Sequence, residues 1–129
     1  MEERNTRQKG MILDAVRGRC DHPTADDIYL ELRARDPRIS RGTVYRNLKR
    51  MAQTGEIGLV QTSPAERFDL RTDPHSHLRC CLCGRVWDAP VPYREEDDRM
   101  AEETTGFSVR GHSTVFEGVC ADCRKAQEG

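Results

Sequence analysis

A chain of 129 residues, six of them cysteine and 33% of them charged, is long enough for one ordinary domain or two small ones. Units of the smaller size bury little core and want a staple. The formal net charge of -1 hides an asymmetry: residues 1–60 hold 12 Lys and Arg against 9 Asp and Glu, and residues 61–129 hold 9 against 13. The halves therefore carry +3 and -4 and are expected to meet different partners.

The opening MEERNTRQKG is charged and polar with no apolar run behind it. Neither a signal peptide nor a membrane span is expected, and the expected location is the cytoplasm. Asn5 or Thr6 is a candidate cap for a first helix in which Met11, Ile12, Ala15 and Val16 recur at helical spacing, with Gly18 as its stop. HPTADDIYLEL announces a second helix. Thr24 is its candidate N-cap, Asp27 stands three residues on, and Ala25, Ile28, Tyr29 and Leu32 form the inner stripe.

The third segment, PRISRGTVYRNLKRMAQTGE, is the most informative of the front half. Ser40 caps it, Val44, Leu48, Met51 and Ala52 form its inner face, and Gly55 sits where a helix ends. Arg41, Thr43, Tyr45, Arg46, Lys49 and Arg50 are left to the outer face. From Arg38 to Gly55 there are five basic residues and no acidic one. Such a face suits the phosphate backbone of a duplex, although a solvated basic helix face is the ordinary alternative. EIGLVQT and ERFDL then read as a hairpin turning at Ser63 and Pro64, with Ile57, Leu59, Phe68 and Leu70 alternating. Three helices followed by a hairpin predict a winged helix-turn-helix over residues 1–72, its third helix suited to the major groove of double-stranded DNA.

After RTDP the composition changes. Residues 73–129 read as a small α+β unit. Strands are expected around His77 to Cys80, Val86 to Asp88, Phe107 to Arg110 and Thr114 to Val119, with helices over about residues 93–104 and after Cys120. Cys80 and Cys83 form one CxxC pair, and Cys120 and Cys123 form another. In a reducing compartment, two such pairs supply the four thiolates of a structural zinc site. The ion would tie the start of this unit to its end.

In an extended segment His75 and His77 share one face while Cys80 falls on the other, so the histidines are not expected to serve the cysteine-bound ion. Asp69, Asp88 and His22 are candidates to complete a nitrogen and oxygen site. A solvated polar strand face is the ordinary reading of two such histidines. Cys81 reads as a buried or partly exposed thiol, and Cys20 has no evident activating neighbour. A zinc hydrolase or deaminase would need HxE near PCxxC and an open coordination position, neither of which is found here. A thiol oxidoreductase would need one reactive CxxC in a thioredoxin-like pattern and not two pairs. No enzyme is therefore expected.

The motifs HPTADDIY, SRGTVYRNL, ERFDL, HSHLRCCLCGRVWD and GVCADC, in this order, resemble those of the ferric uptake regulator (Fur) superfamily over nearly the whole chain. That resemblance implies a homodimer with an N-terminal winged helix and a C-terminal α/β dimerisation domain, repressing genes when metal is bound. It implies structural Zn(II) on Cys80, Cys83, Cys120 and Cys123. The regulatory ion, Fe(II) or Mn(II), is implied on His22, Asp69, His75, His77 and Asp88.

Iron-uptake members tend to have Glu in place of Asp69 and Asp88. Peroxide-sensing members (PerR type) resemble this chain in having Asp at both, and in them Fe(II) and hydrogen peroxide oxidise ligand histidines, here matching His22 and His75. An iron- or other metal-responsive repressor without peroxide sensing is the alternative. Pro74 and Ser76 replace two ligands of an HHDH-like run, so the second site that would include His112 is expected to be missing. His112 then reads as a structural polar residue. The zinc-uptake branch is disfavoured, since its extra cysteine ligand near the wing has no counterpart around Asp69. The family's first helix, ahead of the one starting near Thr6, is expected to be largely absent.

Overall fold

The computed structural model describes residues 2–128, with side chains from Arg4 onward. The chain packs as two units, one up to Asp73 and the other from Pro74.

The first unit is three helices and a two-stranded ribbon. Helix α1 spans Glu2–Arg17, α2 Ala25–Arg33 and α3 Arg41–Thr54; strands β1 (Gly58–Val60) and β2 (Arg67–Asp69) pair antiparallel, with Leu59 opposite Phe68. Each helix turns an apolar stripe inward. Ile12, Val16, Ile28, Leu32, Val44, Leu48 and Met51 are fully buried in one cluster that also takes in Ile39, Ile57 and Phe68. Truncating any one of the large members to Ala removes about 2–5 kcal/mol, enough to threaten so small a unit.

The caps have clear physical causes. The Thr24 side chain accepts from the Asp27 N–H at 3.1 Å, and Asp27 accepts from the Thr24 N–H at 3.0 Å, a reciprocal capping box. Ser40 Oγ accepts from the Thr43 N–H at 3.1 Å, and Gly55 ends α3 in the left-handed conformation at φ 82°.

Two expectations for this unit are corrected. The first helix begins at Glu2, so Asn5 and Thr6 lie inside it as exposed residues and not at its cap. No glycine or proline interrupts residues 2–9, and Gln8, only 4% exposed, anchors those early turns. The inward residues of the ribbon are Ile57, Val60 and Phe68, whereas Leu59 and Leu70 are 38% and 40% exposed. Packing against the helices overrides strict alternation in strands of only three residues.

The second unit is a three-stranded sheet with two helices. Strand β3 (Ser76–Cys80) is central, pairing antiparallel with β4 (Val86–Ala89) and parallel with β5 (Val115–Gly118). Helix α4 spans Glu95–Thr105 and α5 Ala121–Glu128, and neither has a buried residue. The expected strand at Phe107 to Arg110 does not form, and Phe107 is 73% exposed. Among the described residues no strand pairs with that segment, and an apolar run without a partner for its backbone stays irregular. Among the described residues no helix is long and apolar enough to cross a membrane.

Candidate metal centres and a basic helix face

The cysteine cluster is built by a tight hairpin. Cys80 ends β3, its N–H donates to the Arg85 carbonyl at 3.0 Å, and Gly84 turns the chain at φ 77° while its N–H donates to the Cys80 carbonyl at 2.9 Å. A side chain at 84 would strain that turn. The parallel pairing of β5 with β3 sets Gly118 opposite Cys80 and so delivers Cys120 to the same end of the sheet.

Sγ atoms of Cys80, Cys83, Cys120 and Cys123 all lie within 4.8 Å of one another, and those of Cys83 and Cys120 are 3.9 Å apart. Four sulfurs about 2.3 Å from a tetrahedral zinc would be roughly 3.8 Å apart, so the set fits such an ion. Backbone N–H groups of Cys120 and Cys83 each donate to Cys80 Sγ at 3.4 Å, and that of Cys123 donates to Cys120 Sγ at 3.5 Å. The donors on Cys80 push its thiol down to about 5, while Arg85, whose Nε is 3.4 Å from the sulfur, lowers Cys83. Crowding by Cys120 and Cys80 pushes Cys123 up to about 12. A cluster that favours thiolate at Cys80 and Cys83 and resists further negative charge at Cys123 is chemically ready for a cation.

The candidate histidines and aspartates are contributed by both units. In the first unit, the chain between α1 and α2 turns through the left-handed region at His22, φ 55°, a conformation few non-glycine residues hold without support. Support comes from Arg67, which donates to the His22 carbonyl at 3.0 Å, and from the Phe68 N–H, which donates to the Pro23 carbonyl at 2.8 Å. The turn sends a 4%-exposed imidazole toward Asp69, with Nε2 3.5 Å from Oδ2. The Arg71 N–H donates to Asp69 Oδ1 at 3.0 Å.

In the second unit, His77 and Asp88 are cross-strand partners on β3 and β4, and His75 lies just before β3. Nε2 of His75 is 3.0 Å and Nε2 of His77 3.4 Å from Asp88 Oδ1, the two rings being 4.4 Å apart. Donor atoms about 2.0–2.2 Å from a shared ion stand at separations of this order, and the donors are imidazole nitrogen and carboxylate oxygen, which suit Fe(II) or Mn(II).

His112 has other company. Its Nδ1 is 2.6 Å from Asp98 Oδ1, its ring stacks on Tyr93 at 4.5 Å, and the Tyr93 hydroxyl donates to Asp98. These bonds hold the Asp98 carboxyl below its usual range, Tyr93 first and His112 second. Cys20 and Cys81 are both exposed and lie outside the cysteine cluster.

On α3, Arg41, Tyr45, Arg46, Lys49 and Arg50 are exposed and Thr43 is half-buried. Sequence reasoning missed three supporting residues: Arg67 behind His22, Arg85 beside the thiolates, and Asp26, which pairs with Arg41 and accepts from the Tyr45 hydroxyl. The contacts of Arg67 and Asp26 have no sequence signature, since each joins residues on different elements, whereas Arg85 stands only two residues from Cys83 in the same hairpin.

Residues 1–117 match the model of the ferric uptake regulator family. The chain belongs to that family. It is 37% identical over 125 residues to the peroxide operon regulator of Bacillus subtilis (strain 168), covering 96% of this chain and 86% of that protein. It is 34% identical over 123 residues to the peroxide-responsive repressor PerR of Staphylococcus epidermidis, covering 95% of this chain and 82% of that one. Among solved structures, the Campylobacter jejuni peroxide stress regulator superposes with a TM-score of 0.74 at 26% identity, covering 95% of this chain and 93% of that one. The architecture is thus the α+β fold of the family.

Proposed function

We infer that this Fur-family chain is a metal-dependent, peroxide-responsive transcriptional repressor, a regulator and not an enzyme, working in the cytoplasm. The observation that carries the reading is the pairing of aspartates with histidines in both units: Asp69 against His22, and Asp88 against His75 and His77. The relatives named for peroxide response support it.

In this reading the first unit is a winged helix in which α3 enters the major groove of double-stranded DNA and the β1–β2 ribbon is the wing. Thr43, Tyr45 and Arg46 face base edges, while Arg41, Lys49 and Arg50 face phosphates. Structural Zn(II) sits on Cys80, Cys83, Cys120 and Cys123. The second unit forms the homodimer, supported by its exposed apolar row: Trp87 and Phe116 flank Leu78 across the sheet, at 37%, 42% and 40% exposure.

His22 and Asp69 from one unit, with His75, His77 and Asp88 from the other, hold one regulatory Fe(II) or Mn(II). Ligands drawn from both units would restrain the setting of the two reading helices of a dimer, so metal affinity and DNA affinity become linked. Bound Fe(II) would supply the redox chemistry that splits the O–O bond of hydrogen peroxide, ending in its starting oxidation state. For each peroxide consumed, one ring, of His22 or of His75, would lose two electrons and gain one oxygen atom while the other oxygen leaves as water, and a ring so altered is a poorer ligand.

The deciding experiment is duplex binding with Fe(II) and with Mn(II), before and after stoichiometric peroxide, followed by mass analysis of peptides containing His22 and His75. Release with Fe(II) alone, accompanied by a gain of one oxygen, is the expected result. Unchanged binding with unmodified peptides would leave a divalent-metal repressor without peroxide sensing.

A further inference from the structure

Asp26 is the second residue of α2 and stands on the same exposed surface as the outer face of α3. Its Oδ1 accepts from the Tyr45 hydroxyl at 2.6 Å and is ion-paired with Nη1 of Arg41. The Arg41 guanidinium also lies 4.5 Å over the ring of Tyr29, another α2 residue. Two of the side chains that face DNA are thereby fixed to a neighbouring helix by one carboxylate. By contrast, no ion pair engages Arg46, Lys49 or Arg50 among the described residues.

We propose that Asp26 is a positioning and specificity-determining residue for duplex reading by α3, holding Tyr45 in its reading pose while neutralising Arg41 against indiscriminate phosphate binding. The proposal rests on the DNA-binding reading above. A carboxylate on a surface that approaches phosphates opposes binding, and its effect is the same for every sequence. Non-specific affinity depends on how many phosphates are neutralised, so an Arg41 already paired with Asp26 contributes little to it. A Tyr45 side chain held in one rotamer loses less freedom when it meets a base edge, which favours only the sequences that fit that pose. Together they widen the gap between a matched and an arbitrary duplex, since the charge costs every duplex alike and the Tyr45 pose held by the same carboxylate returns affinity to matched sequences only.

The test uses full-length protein with Mn(II) and two probes: a random-sequence duplex, and a duplex that the wild-type protein selects from a randomised pool. Asp26→Asn keeps an acceptor for Tyr45 and removes the charge. It should bind the random duplex about 3- to 10-fold more tightly, with a log affinity against log salt slope steeper by about 1, and change much less on the selected duplex, where the weaker hold of an uncharged acceptor on Tyr45 offsets the gain. Tyr45→Phe, which breaks the Tyr45 bond alone, should weaken binding to the selected duplex more than to the random one, and Asp26→Ala, which breaks that bond and removes the charge, should weaken binding to the selected duplex while tightening it to the random one.

A cycle adds a second reading. Arg41→Gln should leave the salt slope nearly unchanged in the wild-type background, where Lys49→Gln reduces it by about 1, and should reduce it by about 1 in the Asp26→Asn background. Melting curves establish that each variant is folded. An Asp26→Asn protein with wild-type slope and discrimination overturns the proposal while leaving the DNA reading intact. A wild-type protein that binds neither duplex overturns both.

Discussion

Gly58 stands directly across the ribbon from Asp69, and a Cβ at position 58 would lie 2.3 Å from the Arg71 carbonyl oxygen and 3.2 Å from Asp69 Cβ. The glycine at 58 is therefore a condition for the carboxylate at 69. Its neighbours are backbone and a buried acid, neither of which can swing aside as the tip of a flexible side chain could.

Gly58→Ala should destabilise the first unit by about 1–3 kcal/mol through overpacking. Because the displaced atoms belong to Asp69 and Arg71, it should also weaken Mn(II) affinity more than a core substitution of equal stability cost, such as one at Ile39. Isothermal titration with Mn(II), alongside thermal melts of both variants, measures the comparison. Equal Mn(II) affinity in the two would show that Gly58 serves stability alone.

The capping box gives a prediction of stability without function. Thr24→Ala should cost about 1 kcal/mol, and Thr24→Ala combined with Asp27→Ala should cost less than the sum of the single changes, since the two bonds are reciprocal. Urea unfolding of the four proteins in the cycle decides it, with strict additivity as the contrary result.

Trp87, the single tryptophan, lies on β4, so its emission and near-UV signal report on the second unit alone. Stripping zinc with a chelator under reducing conditions should red-shift Trp87 and abolish the cooperative melt of that unit, because roughly 10–16 kcal/mol of ion binding is folding free energy at such a site. The helical far-UV signal of α1 to α3 should persist. A protein that loses its zinc and keeps both Trp87 emission and melting curve would not need the ion for its fold.

Lys49 and Arg50 should contribute affinity without preference. Replacing each by Gln should weaken binding similarly on every duplex and flatten the salt dependence by about 1 per residue, whereas Arg46→Ala should alter which sequences are preferred. Selection from a randomised pool, repeated at two salt concentrations, separates the two behaviours.

Much of this was legible because it is local. Thr24 with Asp27, Ser40, Gly55 and the spacing of Val44, Leu48 and Met51 are signals carried within one or two helical turns, and the helices follow them. The two CxxC pairs are similarly self-announcing, and the sheet brings their four sulfurs within 4.8 Å. The start of α1 was obscured by good cap residues, Asn5 and Thr6, that the helix runs straight through. Segment 107–110 was obscured by an apolar pattern that only a pairing partner could turn into a strand.

By itself the sequence determined the candidate ligand types, the caps of α2 and α3 and the basic face of α3, since residue chemistry and short-range spacing suffice for those. Only the tertiary structure decided that His22 takes a left-handed turn to reach Asp69, that position 58 must be glycine for Asp69 to fit, and that Asp26 holds Arg41 and Tyr45. Those relationships join residues 11 to 47 positions apart, and side chains so distant in the chain meet only when packing brings their elements together.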